Sequence, residues 1–154
     1  MLDRQLVERV AGALATDEGL VEKDWHVVRA LAVIAAVDHA GAAPAFSGGT
    51  SLSKGWGLIK RFSEDIDFKV AMPAAASGAR DRQQRHAYRQ RMLDALTAAG
   101  FTQVGTLVVG DASRFFSVDL AYPSAFGAGR GLRPHIRVEM SFHRPALLPM
   151  ARPI

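Results

Sequence analysis

The stretch FSEDIDFKV, residues 62–70, constrains this chain more than any other. Read at a period of two, Ile66, Phe68 and Val70 fall on one side, and Asp65, Asp67 and Lys69 on the other. Such a strand belongs in a sheet with an apolar core under one face and two carboxylates side by side on the opposite face. The strand cannot move the two anions apart, so they call for a cation between them. Oxygen-only ligands of high negative charge suit Mg²⁺ or Mn²⁺.

The rest of the chain supplies elements to pack around that strand. Leu2, Leu6, Val10 and Leu14 recur at helical spacing, with Asp3 as a cap, so residues 1–16 are expected to be helical. Asp17-Glu18-Gly19 reads as the stop. A second, mostly apolar helix is expected from about Asp24, as its cap, to Ala40. Ala45-Phe46 suggests a short strand, and Thr50 or Ser51 the start of a short helix weakened by Gly55 and Gly57. Residues 72–80 read as a connection and 80–99 as a helix. Its apolar face holds Tyr88, Met92, Ala95, Leu96 and Ala99, with Arg82, Arg85 and Arg89 on its solvent border. Strands are expected in FTQVGTLVV, ASRFFSVDLAY and HIRVEMSF. This order gives an α/β (α+β) fold, a mixed twisted sheet of about four or five strands flanked by helices. At 154 residues the chain suits one domain spanning 1–154.

Charge and composition narrow the partners. The net charge is +4 and the isoelectric point about 10.0, which favours a polyanionic or nucleotide partner. RDRQQRHAYRQR sets five arginines against one acid, a helix face that suits an RNA backbone. There is no cysteine, which excludes disulfides and thiolate metal ligands and fits a reducing compartment. The first residues lack a signal-peptide pattern, and the most apolar stretch is broken by Arg29 and Asp38, so a cytoplasmic protein without a membrane span is expected.

Two further features bear on the aspartates. Gly48-Gly49-Thr50-Ser51 forms a turn opening a helix, where backbone N–H groups and the Thr50 and Ser51 hydroxyls suit phosphate. A third carboxylate would complete a cation site, and periodicity offers two. Glu139 alternates against Ile136, Val138 and Met140, and Asp119 against Phe116, Val118 and Leu120. The spacing alone does not choose between them.

The stretch FSGGTSLSKGWGLIKRFSEDIDFKV resembles the signature of nucleotidyltransferase toxins of the AbiEii/AbiGii type, in the DNA polymerase β-like superfamily. Weaker similarity runs through residues 80–99, LAYPSAF and LRPHIRVEMSF. The resemblance implies that Gly48, Gly49 and Thr50 contact the triphosphate of an NTP, where the Ser51 hydroxyl can assist, and that Asp65 and Asp67 hold the catalytic metal. Glu139 resembles the third acid, and Lys54 and Arg61 the basic residues near the site. Lys69 is the basic residue that alternation aims inward, and Lys54, Lys60, Arg61 and Lys69 are expected at the rim of an acidic groove. Glu139 is expected nearer the aspartates than Asp119.

The resemblance further implies transfer of a nucleotide to RNA, such as a tRNA end, or to a protein, and a cognate antitoxin as partner. A small-molecule acceptor is a third possibility. Family members commonly continue past the third acid into a helical region with a lysine and a further aspartate motif, which nothing after Glu139 matches. The expectation is a short or truncated member. A nucleotide-binding or interaction module without catalysis is the alternative.

Overall fold

The computed structural model describes residues 2–57, 64–127, 131–145 and 149–151. Helix α1 (Arg4–Leu14) is capped by Asp3, whose carboxylate accepts the Gln5 and Leu6 N–H groups. Helix α2 is Glu18–Ala36. It starts about two turns earlier than expected, because Asp17 rather than Asp24 is its cap and accepts the Gly19 N–H at 2.8 Å. The expected stop signal is thus a stop and a start: α1 ends at a left-handed Ala15, and the chain turns straight into α2.

Strand β1 (Ala43–Ser47) runs directly into helix α3 (Gly48–Lys54), which begins at the glycines rather than at Thr50. Strand β2 is Asp65–Ala71 and helix α4 is Gly78–Ala98, capped by Ser77. Strand β3 (Thr102–Gly110) turns through a single 3-10 turn into β4 (Phe115–Ala121), and β5 is Ile136–Ser141. Together they make the expected α/β arrangement, with one mixed sheet in the order β1-β2-β5-β4-β3. Among the described residues, β2 and β5 run parallel and the other neighbours are antiparallel.

The core lies under one face of that sheet. Ile66, Phe68 and Val70 of β2, Ile136, Val138 and Met140 of β5, and Phe116, Val118 and Leu120 of β4 pack with Val27, Ala30, Leu31 and Ile34 of α2 and Tyr88, Met92 and Leu96 of α4. Burying side chains of this size, at roughly 1.5–3 kcal/mol each, fixes the register, since a slip of one residue would drive the acids inward. The opposite face consequently carries the alternate residues of the central strands, among them Asp65, Asp67, Lys69, Ser117, Asp119, Arg137, Glu139 and Ser141.

Two arginines depart from the expectation for α4. Arg85 and Arg89 are buried rather than bordering solvent, 5% and 9% exposed. Arg85 pairs with Asp81 one turn back and donates to the Ala112 carbonyl. Arg80 and Arg82 are exposed, whereas Arg91 donates to the Asp38 carbonyl. The helix therefore offers less free positive charge than the run of arginines suggests.

Candidate active site

The parallel pairing of β2 with β5 builds the site. It sets Asp65 beside Arg137 and Asp67 beside Glu139. Pairing of β5 with β4 extends both rows, placing Ser117 beyond Glu139 and Asp119 beyond Arg137. Glu139 is thus the cross-strand neighbour of Asp67, while Asp119 stands a strand further away. The Ser117 hydroxyl donates to Glu139 Oε1 at 3.2 Å. Asp119 is committed elsewhere: Arg137 donates to its two oxygens at 2.7 and 3.0 Å, and His135 lies 3.4 Å from Oδ2. The arginine hydrogen bonds hold the Asp119 carboxyl below the ordinary aspartate range.

Asp67 is in the opposite condition. Burial first, then the Glu139 and Asp65 charges, push its carboxyl above the ordinary range. The Gly-Gly turn presses on it from the other side. Gly48 has a φ of +72° and lies so close to Asp67 that an added Cβ would collide with the carboxylate. Ser47, paired with Asp67 across β1 and β2, donates its hydroxyl to the Asp67 carbonyl at 3.2 Å. The turn and the acid are parts of one construction, and only glycine permits it.

A groove of about 350 Å³ opens here, lined by Ser47, Gly48, Asp67, Phe68, Lys69, Glu139 and Ser141. Lys69 reaches it from the strand face shared with the aspartates. The other expected contacts are more tied down. Thr50 is fully buried, its hydroxyl donating to the Asp65 carbonyl, so it locks α3 against β2. The Ser51 hydroxyl donates to the Gly48 carbonyl at 2.9 Å, within the turn. Gly49 follows Gly48 in the first turn of α3. Lys54 is bound by both oxygens of Asp24 on α2, an ion pair that joins α3 to α2. Lys60 and Arg61 lie outside the described residues.

Three residues at the site escaped the sequence reading. Arg133 donates through Nη2 to Asp65 Oδ1 at 2.6 Å. Its backbone N–H donates to Glu64 Oε2 at 2.9 Å, and its carbonyl accepts from Lys23 Nζ at 2.6 Å. Lys23 also donates to Glu64 and is fully buried. Burial works against both charges. It lowers the Lys23 amine, whereas the Glu64 carboxyl still falls below its usual value because the Lys23 and Arg133 hydrogen bonds outweigh burial. The signals were present. Lys23 sits one turn before Val27 on the buried stripe of α2, and Glu64 has the parity of Ile66.

Among the described residues, no three acid or histidine side chains converge as a ready-made metal cage. Asp67 and Glu139 face one another, while Asp65 is held by Arg133. The donor chemistry nonetheless fits a hard divalent cation: carboxylate oxygens, mutual repulsion and a backbone turn pressed against one of them. No helix among the described residues is long and apolar enough to cross a membrane.

A strand-borne acid pair beside a Gly-Gly turn, on one face of a mixed sheet, is the arrangement that the resemblance to nucleotidyltransferases leads one to expect. The family model described as "Nucleotidyl transferase AbiEii toxin, Type IV TA system" matches residues 29–153, and the chain belongs to that family. No curated protein matches it.

Proposed function

We infer that the chain is the toxin of a toxin–antitoxin pair and transfers a nucleoside monophosphate from an NTP to an RNA, such as a tRNA end, or to a protein acceptor. The observation that carries this reading is the register that sets Asp67 against Glu139 beside Gly48. A cytoplasmic setting accords with an NTP as substrate.

In this reading Asp65 and Asp67 hold Mg²⁺ or Mn²⁺, and Glu139 completes the oxygen set. The bound cation supplies Lewis acidity, neutralising the triphosphate and making the acceptor hydroxyl easier to ionise. The Gly48-Gly49 turn leaves the backbone open to the phosphates, with Ser51 at its edge and Lys69 opposite. The acceptor oxygen bonds to the α-phosphorus as the bond to pyrophosphate breaks. Glu139, oriented by the Ser117 hydroxyl, takes the acceptor proton. Thr50 and Lys54 act indirectly by fixing α3. Arg61 is proposed to meet the nucleotide from the segment between α3 and β2.

Incubation of the protein with α-labelled GTP, CTP, UTP and ATP, total RNA, tRNA and protein, under Mg²⁺ or Mn²⁺, tests this. Label should move to a macromolecule and pyrophosphate should be released. Label that stays on the nucleotide while the folded protein still binds it would instead describe a binding module without catalysis.

A further inference from the structure

The guanidinium on Asp65 is attached in a way that separates its backbone from its side chain. The Arg133 backbone is fixed twice, by its N–H to Glu64 and its carbonyl from the buried Lys23. Its side chain reaches back over β2 and is 35% exposed, against an Asp65 carboxylate that is 43% exposed. The Nε atom is 3.7 Å from Glu64 Oε2, too long for a strong second bond. A well-held anchor thus carries a loosely held cation. An ion pair this exposed is weak and easily exchanged. The second arginine on this face, Arg137, is different, because both its bonds go to Asp119.

We propose that Arg133 is a movable counterion of the site: its guanidinium competes with the divalent cation for Asp65, and on nucleotide entry it transfers to the triphosphate. This rests on the reading of Asp65 and Asp67 as the cation site. This sheet face carries three carboxylates on neighbouring strands, Asp67 and Glu139 lining the groove and Asp65 two residues before Asp67 on β2. Asp67 already feels the other two as repulsion. A cation joining Asp67 and Glu139 gains most from Asp65 once the guanidinium has left it. A released guanidinium needs an anion, and its planar fork matches phosphate oxygens better than an ammonium does. Arg133 would therefore make metal and triphosphate binding interdependent, with metal alone opposed by the guanidinium and metal with triphosphate favoured by it.

The test uses Mn²⁺ titration followed by electron paramagnetic resonance, and calorimetry with a non-hydrolysable nucleoside triphosphate plus Mg²⁺. Arg133→Gln keeps both backbone anchors, so its thermal midpoint should stay close to wild type. Without nucleotide, Arg133→Gln should bind Mn²⁺ about two- to fivefold more tightly, the size of a lost exposed ion pair. Its affinity for the Mg²⁺–triphosphate should fall about tenfold, as for one lost charge-assisted bond. Arg133→Lys should keep the wild-type Mn²⁺ affinity and lose part of the triphosphate affinity. A role in structure alone cannot move the two affinities in opposite directions.

Unchanged or weaker Mn²⁺ binding by Arg133→Gln overturns the proposal, as does undiminished triphosphate binding. Asp67→Asn separates this from failure of the functional reading. If Mn²⁺ is lost in Asp67→Asn yet indifferent to Arg133, the cation site stands and the counterion falls. If Mn²⁺ binding ignores Asp67, or is absent from wild type, both fall.

Discussion

Two acids on the same sheet face live under opposite conditions. Asp119 is gripped by Arg137 through both oxygens and kept ionised. Asp67, on β2 across β5 from β4, faces Glu139, rests against Gly48, and is destabilised as an anion. The fold uses charge at Asp119 to hold its own strands together. At Asp67 it keeps charge in an unfavourable state, which a proton or a cation would relieve. An acid already matched within the fold has nothing to gain from a ligand, which makes the unmatched acid the stronger candidate for the site. Both acids alternate on their strands in the same way, and only the cross-strand register tells them apart.

The sharpest way to break this contrast is to neutralise each acid in turn. Asp67→Asn should lower nucleotide transfer by about three orders of magnitude, given the several kcal/mol that a correctly held metal supplies. The same substitution should raise the thermal midpoint, because it removes one of two like charges directly opposite each other, worth about 0.2–1 kcal/mol. A loss of activity accompanied by a loss of stability would mean that Asp67 is a structural acid like Asp119. Gly48→Ala comes next. It combines a positive φ with a collision against Asp67, and should cost about 1–3 kcal/mol in urea unfolding while displacing the carboxylate and suppressing transfer. Gly57→Ala, also at positive φ but with open space around it, is the control and should leave transfer unchanged.

The sequence disclosed these two regions unequally. Alternation in IDFKV, FFSVDLAY and HIRVEMSF was enough to assign each strand and both its faces, because burial on one side enforces a period of two. It could not order the strands in the sheet, and strand order is what places Glu139, rather than Asp119, next to Asp67. Resemblance to the family pointed to Glu139, and the register now gives the geometric reason for its nearness. The sequence leaves the start of α2 ambiguous because Asp17 and Asp24 are both competent caps. Asp24 instead meets Lys54 of α3, a contact of long sequence separation. The burial of Arg85 and Arg89 was illegible for a related reason. Arg85 turns inward to an acceptor on a distant segment, the β3–β4 turn, whereas Arg89 is buried with its Nη1 atom lacking a hydrogen-bond partner among the described residues. Arg133 lay beside Pro134 in a glycine-rich link, where no period exists to assign a face.

Asp119→Asn should have the reverse profile to Asp67→Asn. It leaves Arg137 without its charged partner on a partly exposed face, a loss of about 1 kcal/mol once solvent screening is allowed for. Urea unfolding should show this as a lower midpoint with an unchanged slope. Transfer per folded molecule should remain within a few-fold of wild type. A collapse of activity in the folded variant would restore Asp119 as a candidate third acid.

The smallest effect, and the most discriminating in sign, is the response to acid. The folded-state pKa of Asp119 is depressed by Arg137, so the folded protein binds fewer protons there than the unfolded chain. Its stabilising contribution is present above the unfolded aspartate value, near 4, and is lost as pH falls through the lower folded value. Glu64, held by Lys23 and Arg133, acts in the same direction. Asp67 has a raised folded-state pKa and acts in the other direction: its contribution is present below the unfolded value and is lost as pH rises through the folded one. Acidification from pH 7 to pH 3 therefore removes support at Asp119 and Glu64 while relieving repulsion at Asp67. Urea unfolding across that range should show Asp119→Asn losing stability less steeply than wild type, and Asp67→Asn more steeply. Divalent cation should raise wild-type stability at pH 7 and lose this effect toward pH 4, as protons replace it on the carboxylates. Parallel acid limbs for the two variants would show that the acids share one environment and that the contrast between them is false.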